Sequence, residues 1–313
     1  MAEGAAGKGG ALVVVGSVAI DTIETQGGRA TEVLGGAATY FAVAASFFGP
    51  VKIVGVVGDD FPKAELAWFE KRGIDLSGLE VRPGRTMRWT GRYHEDMNVR
   101  DTLSFEANVF DGYMPTLPAA YCDAPFVFLG NIAPALQGHV LDQVRAPRLI
   151  GADTMNFYIE GARSDLEALL RRVPLLIIND EEARMLAGER NMIRAARKIL
   201  DLGPTSLMIK RGEYGVLFFS GDSVFSAPAY PLEEVFDPTG AGDTFAGGVM
   251  GYLAATGDTS PAGIRKAIVY GSVVASFTVE AFSLERLRTL TRDDIERRYR
   301  QFVSLTSFDV ASV

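Results

Sequence analysis

Cysteine is almost absent from this 313-residue chain, where Cys122 stands alone. A disulfide framework or a thiolate zinc site needs more than one cysteine, so neither forms within one chain. Histidine is nearly as scarce. His94 and His139 are too few for a multi-histidine metal centre and leave little room for a Ser-His-Asp triad. Excess positive charge is missing too: 31 Lys+Arg face 39 Asp+Glu, for a net charge of −8. A general nucleic-acid binder would carry a basic surface instead. Anionic small molecules are not excluded, because backbone N–H groups hold phosphate with little help from net charge. Long apolar runs are lacking as well. The early one, residues 11–20, stops at Asp21, short of the about 20 residues a membrane span needs, and no small-residue cleavage site follows. A cytoplasmic protein with no nucleic-acid or membrane partner is the expectation. Residues 1–10 read as a flexible tail ahead of one domain at 11–313.

What is present is material for a large core, with 48% hydrophobic and 22% charged residues, which excludes global disorder. Short β-branched apolar runs at 12–15, 51–57, 126–129, 148–150, 175–178, 206–209 and 216–219 read as buried strands. Helical patterns at 36–48, 63–72, 164–172, 181–187 and 192–202 alternate with them, and after Phe236 the pattern is almost wholly helical. This alternation predicts an α/β fold, a mostly parallel central sheet with helices on both faces and ligands at the strands' carboxyl ends. Two segments break the rhythm. Residues 21–34 turn at Gly27-Gly28, and residues 86–106 turn near Asp96–Asn98. Both suit a small antiparallel β lid standing apart from the main body, because Trp89, Tyr93 and Met97 are costly to leave in water without a purpose.

The densest chemical signal is Asp237-Pro238-Thr239-Gly240-Ala241-Gly242-Asp243, a turn of tiny residues opening into an apolar helix. Its glycines let the backbone approach a ligand, and the first helical N–H groups point outward unpaired, which makes an anion hole. Asp243 follows in the first helical turn. An isolated acid there would only complement the helix dipole. A carboxylate beside an anion hole repels phosphate unless something lies between them, and a hydroxyl being deprotonated as it attacks phosphorus is the natural candidate. The dinucleotide fingerprint fails, since Phe245 replaces its last glycine, and Gly7-Lys8 lacks the rest of a P-loop.

With this run the chain resembles the ribokinase-like (PfkB) sugar and nucleoside kinases, over roughly residues 13–290. The resemblance implies a ribokinase-like fold and ATP-dependent phosphorylation of a hydroxymethyl group, with a ribonucleoside or ribose-like sugar slightly favoured as acceptor. It makes Asp243 the catalytic base and Gly240, Ala241 and Gly242 the anion hole. Gly16 to Asp21 is similar to the family's first strand, whose terminal acid, here Asp21, binds sugar hydroxyls. Gly35-Gly36 is similar to the substrate loop, but Tyr40 replaces the family's asparagine, which puts an aromatic group at the pocket wall. Asn108, where the second lid segment returns, is a further substrate-facing candidate. Asn179-Asp180-Glu181-Glu182 matches an Asn-x-x-Glu motif, in which Glu182 acts on Mg²⁺ through water and Asn179 on the phosphate side. As a bare helix start with acids in its first turn it would look the same. By the same resemblance, Lys210, Gly212 and Gly215 would border the nucleotide with Thr239, Lys210 being either a phosphate contact or a solvated cation. Asp153 to Asn156 stands in place of a strand-end Asp-x-Asn, and Tyr158 replaces a frequent arginine, which argues against an already phosphorylated acceptor. Many relatives hold a monovalent cation, which would put K⁺ near Asp237. A homodimer through the lid edge is expected. A catalytically silent ligand sensor or scaffold on the same fold is the alternative. A kinase of hydroxymethylpyrimidine-type vitamins is disfavoured by the lid segments.

Overall fold

The computed structural model describes residues 9–307; most of the tail read at 1–10 therefore lies outside the described residues. Near the start of the described residues, the Gly10 N–H donates to Ala254 O at 2.8 Å. In the first half, β1 (Leu12–Val15), β2 (Ala19–Thr25) and β3 (Gly28–Gly35) lead into helix α1 (Ala37–Ala45). β4 (Val51–Gly58), α2 (Lys63–Lys71), β5 (Ile74–Arg82), β6 (Met87–Tyr93) and β7 (Arg100–Glu106) follow. Next come β8 (Phe126–Leu129), α3 (Pro134–Leu141), β9 (Leu149–Ala152), α4 (Asn156–Gly161) and α5 (Arg163–Leu170). β10 (Leu175–Asn179), α6 (Asp180–Ala187), α7 (Met192–Leu200), β11 (Ser206–Lys210), β12 (Val216–Ser220) and β13 (Ser223–Ala227) continue the alternation. Four helices close the described residues: α8 (Ala241–Thr256), α9 (Pro261–Thr278), α10 (Glu285–Thr289) and α11 (Arg292–Thr306).

The nine-stranded sheet runs β13-β12-β11-β10-β9-β8-β1-β4-β5. It is parallel from β11 to β5, and only β12 and β13 pair antiparallel. Parallel neighbours need crossovers, and the crossover helices cover both faces, so strand residues on either face are buried. Along β1, Leu12 and Val14 join the core beneath α1, α8 and α9, whereas Val13 and Val15 join the core beneath α5, α6 and α7.

The smaller sheet runs β3-β2-β6-β7. The expected hairpins β2–β3 and β6–β7 are antiparallel and are joined along a parallel seam between β2 and β6. It does not stand apart. Thr25 Oγ1 donates to Phe236 O at 2.8 Å, Ser283 Oγ to Leu34 O at 2.6 Å, and Thr239 Oγ1 to Tyr93 Oη at 3.1 Å. The lid is therefore docked on the body.

Every strand read from the sequence is present, and two more are found. β5 and β13 are the outer strands of the large sheet, and β5 mixes buried and exposed positions, so neither shows a continuous apolar run. α3 also went unread: Gly138 interrupts it, and it has no clear polar face.

Candidate active site

The first turn of α8 holds the run read as an anion hole. Gly240 has a φ of 72°, and a methyl group on it would stand 2.3 Å from the Tyr40 ring, so a side chain is excluded on two counts. Ala241 N–H donates back to Pro238 O at 3.2 Å and Thr244 N–H to Gly240 O at 2.8 Å. Gly242 lies in the turn that lacks intrahelical partners and carries the positive end of the helix dipole, and the Asp243 N–H beside it bonds its own carboxyl. Lys210 faces them from the end of β11. A methyl group on Gly242 would lie 2.9 Å from its Nζ.

Lys210 is not the solvated cation that the sequence left open. Its Nζ lies 3.3 Å from Asp153 Oδ2, at the end of β9, and Asp153 Oδ1 accepts the Thr154 N–H at 2.8 Å. Burial works against the ammonium, but the carboxylates of Asp153, Glu182 and Asp243 outweigh it and hold its pKa above the usual lysine value. The charge persists. Asp243 is pushed up to about 7, first by burial and then by the Asp153 carboxylate, with Lys210 and Arg100 opposing the rise. That places its proton affinity where a general base works best at neutral pH.

Asn179 and Glu182 both cap α6 and face this cluster. Asn179 Oδ1 accepts the Glu182 N–H at 2.8 Å, while Glu182 Oε2 accepts the Asn179 N–H at 2.7 Å. This reciprocal pair accounts for the motif structurally, and it leaves Glu182 Oε1 and Asn179 Nδ2 available. Burial and the Asp153 carboxylate push Glu182 up to about 7. One mostly buried carboxylate with an oxygen to spare fits Mg²⁺ held through its own waters. Among the described residues no group of three or more His, Cys, Asp or Glu is placed to hold a metal directly.

Asp21, the acid read as hydroxyl-binding, lies on β2 at 4% exposure. Burial, then the carboxylates of Asp237 and Asp243, push it up to about 8, and the Gly36 N–H opposes them. Its Oδ1 is buried without a hydrogen-bond partner, as is Tyr40 Oη. Gly35 leaves room for it: a methyl group there would stand 1.8 Å from Asp21 Oδ2. Two orphaned polar atoms at one corner are an unmet need that ligand hydroxyls satisfy.

Several expected contacts are redirected. The Tyr40 ring does not offer a stacking face at the pocket wall; it lies beneath Gly240, and only the hydroxyl is left over. Asn108 does not point its amide at a substrate. Its Nδ2 donates to Thr86 O at 3.0 Å and Glu106 O at 3.5 Å, tying the root of the lid. Thr239 turns its hydroxyl to the lid's Tyr93. Asp237 accepts the Thr239 N–H on Oδ1 at 2.8 Å and the Ser283 N–H on Oδ2 at 2.9 Å. It braces the turn. Gly212 and Gly215 form the turn expected of them, Gly215 N–H donating to Gly212 O at 3.1 Å.

Two lid residues were missed. Arg100 opposes Tyr93 across the β6–β7 ladder, and its charge lowers the pKa of both Glu182 and Asp243. Asn98 Nδ2 donates to Glu213 Oε2 at 3.0 Å, joining the lid tip to the 212–215 turn. Neither has a local motif; both depend on where the lid lands.

Residues 10–287 match the profile described as pfkB family carbohydrate kinase. The chain belongs to that family. The resemblance read from the 237–243 run is borne out. Among curated relatives, the cytidine kinase of Thermococcus kodakarensis is 35% identical over 251 residues, 76% of this chain and 87% of that one. The nucleoside kinase of Burkholderia thailandensis, solved in complex with inosine, superposes with a TM-score of 0.73 at 21% identity, covering 93% of this chain and 97% of that one. Ribokinase from Cryptococcus neoformans, in complex with ADP, gives 0.75 at 20% identity over 92% and 99%. These structures establish the ribokinase-like fold of this pfkB-family chain. Among its described residues, no helix is long and apolar enough to cross a membrane.

Proposed function

We propose that this pfkB-family protein is an ATP-dependent kinase that phosphorylates a hydroxymethyl group of a nucleoside or ribose-like sugar. The supporting observation is the meeting of Asp243, its pKa pushed up to about 7, with the α8 N-terminus and the charged Lys210 on one side and the orphaned Asp21 carboxyl on the other. Bound Mg·ATP would supply the phosphoryl group and part of the charge that stabilises it. The Gly242 N–H in the first turn of α8 would receive a phosphate oxygen, Lys210 would balance the phosphate charge, and Glu182 with Asn179 would hold the hydrated Mg²⁺ side. Asp21 orients the acceptor's hydroxyls, and Asp243 takes the proton as the alcohol oxygen attacks. Positioning and charge stabilisation suffice for such a transfer, so the scarcity of histidine and cysteine is no obstacle. The 35%-identical cytidine kinase supports a nucleoside as acceptor.

β7, exposed along its whole length, is the edge through which two copies would pair, and light scattering decides that point. The reading itself is tested by ATP consumption over ribose, fructose, inositol, adenosine, inosine and cytidine. Stimulation by at least one acceptor is expected. Indifference to all six, with ATP still bound, would favour the sensor alternative.

A further inference from the structure

One aromatic group on the lid is held in a way that lid packing does not require. Asp21 on β2 pairs with Trp89 on β6, and Trp89 pairs with Phe105 on β7. Directly opposed residues project from the same face of a sheet. The Asp21 face is the one turned to the body, since Asp21 is buried there and Tyr93, four residues beyond Trp89 on that same face, bonds Thr239. Adjacent strands lie about 4.8 Å apart, so the two aromatic positions stand roughly 5 and 10 Å from the carboxyl that receives the acceptor's hydroxyls.

The indole lies flat. A methyl group on Gly91 would stand 2.0 Å from Trp89 Cη2 and 2.2 Å from Cζ2, so the ring occupies the space a side chain at position 91 would take. Its Nε1 donates to Thr102 Oγ1 at 3.1 Å, and Thr102 is the residue opposite Gly91. One ring face is thus spent on the backbone and the polar edge is pinned. Trp89 is left half-buried, and Phe105, its neighbour across the ladder, is 58% exposed. A free sugar has hydroxyls for Asp21 but nothing planar to set against an indole. A heteroaromatic base joined to that sugar would lie at this distance from its hydroxyls, and bases stack on aromatic side chains largely irrespective of sequence.

We infer that Trp89, held flat by Gly91 and Thr102, is the platform for the base of a nucleoside acceptor, and that this platform makes nucleosides better acceptors than free ribose. The inference rests on the reading of Asp21 as the hydroxyl-binding group, but binding tests it independently of turnover.

Trp68 and Trp89 are the chain's two tryptophans, and Trp68 lies elsewhere, under Arg288. In a Trp68→Phe protein, cytidine or inosine is expected to quench the remaining emission, and ribose is not. Trp89→Leu should raise the KM for nucleosides on the order of 10-fold while leaving ribose and ATP kinetics nearly unchanged. Gly91→Val, which keeps the indole but displaces it, should shift the nucleoside-to-ribose ratio the same way. Equal quenching by ribose and nucleosides overturns the inference, as does an unchanged acceptor ratio in both variants. Selective quenching by nucleosides with no turnover of any acceptor would uphold the platform and sink the kinase reading; the reverse pattern would do the opposite.

Discussion

The two sheets treat their side chains in opposite ways. In β1 and β8 every residue is buried, whereas β7 exposes all seven of its residues, and β6 buries only Met87, Gly91 and Tyr93. The parallel body, clamped by helices on both faces, holds its strand-end groups rigidly: Asp153, Asn179 and Lys210 sit on or just past adjacent strands, and Asn179 is paired directly with Lys210 in the ladder. The lid is half wet and contributes groups that meet the body only when it is docked. The difference suggests a division of labour, in which phosphate chemistry belongs to the body and acceptor recognition to the lid.

The largest effect that could break this division is at Asp243. Asp243→Asn should lower kcat by about 10²–10⁴-fold with ATP binding nearly intact, read by steady-state rates and by nucleotide titration. Retention of more than about a tenth of the rate would remove the base from the body's side of the comparison. Arg100 sharpens the boundary, because it is a lid residue whose charge reaches Asp243 and Glu182. Arg100→Met should cost on the order of 10-fold in kcat, less than the 10²–10³ of a wholly buried donor, with little change in acceptor KM. A change confined to acceptor KM would return Arg100 to recognition alone.

The smallest effect is on stability. Asp21 is pushed up to about 8, and Asp243 and Glu182 to about 7, from 3.8, 3.8 and 4.5. The folded protein therefore keeps protons that the unfolded chain has already lost, so its stability is greatest below about pH 4 on this account and declines as pH rises through 7 to 8. Asp21→Asn should raise the melting temperature of the ligand-free protein at pH 8.5, on the order of 2–4 °C. The gain should shrink as pH falls toward 4, and an equal gain at every pH would contradict the assignment.

Most of the body was legible because its signals are local. A strand such as 12–15 announces itself by consecutive β-branched residues, and the anion turn and its acid lie within seven positions. Glu182 was legible for two reasons at once, since the spacing that caps α6 is also the spacing that aims its carboxyl. The lid's contribution was not legible to that depth. The hairpins were visible, but the parallel seam between β2 and β6 sets Trp89 beside Asp21, and docking sets Arg100 near Asp243; both follow from long-range register. Tyr40 was read by position in a motif and Asn108 by its place at the return of the lid segment, and packing beneath Gly240 and bonding at the lid root redirected them.

The bond between Thr239 and Tyr93 has an implication for how two ligands would meet this protein. On the proposed reading, the turn that would cradle phosphate and the sheet that would cover the alcohol share a hydroxyl contact, through which occupancy at one would bias the arrangement at the other. Thermodynamic reciprocity then requires that whatever factor nucleotide adds to acceptor affinity, acceptor adds to nucleotide affinity. Synergistic addition would be a property of that shared contact itself, present before any phosphorus–oxygen bond is broken.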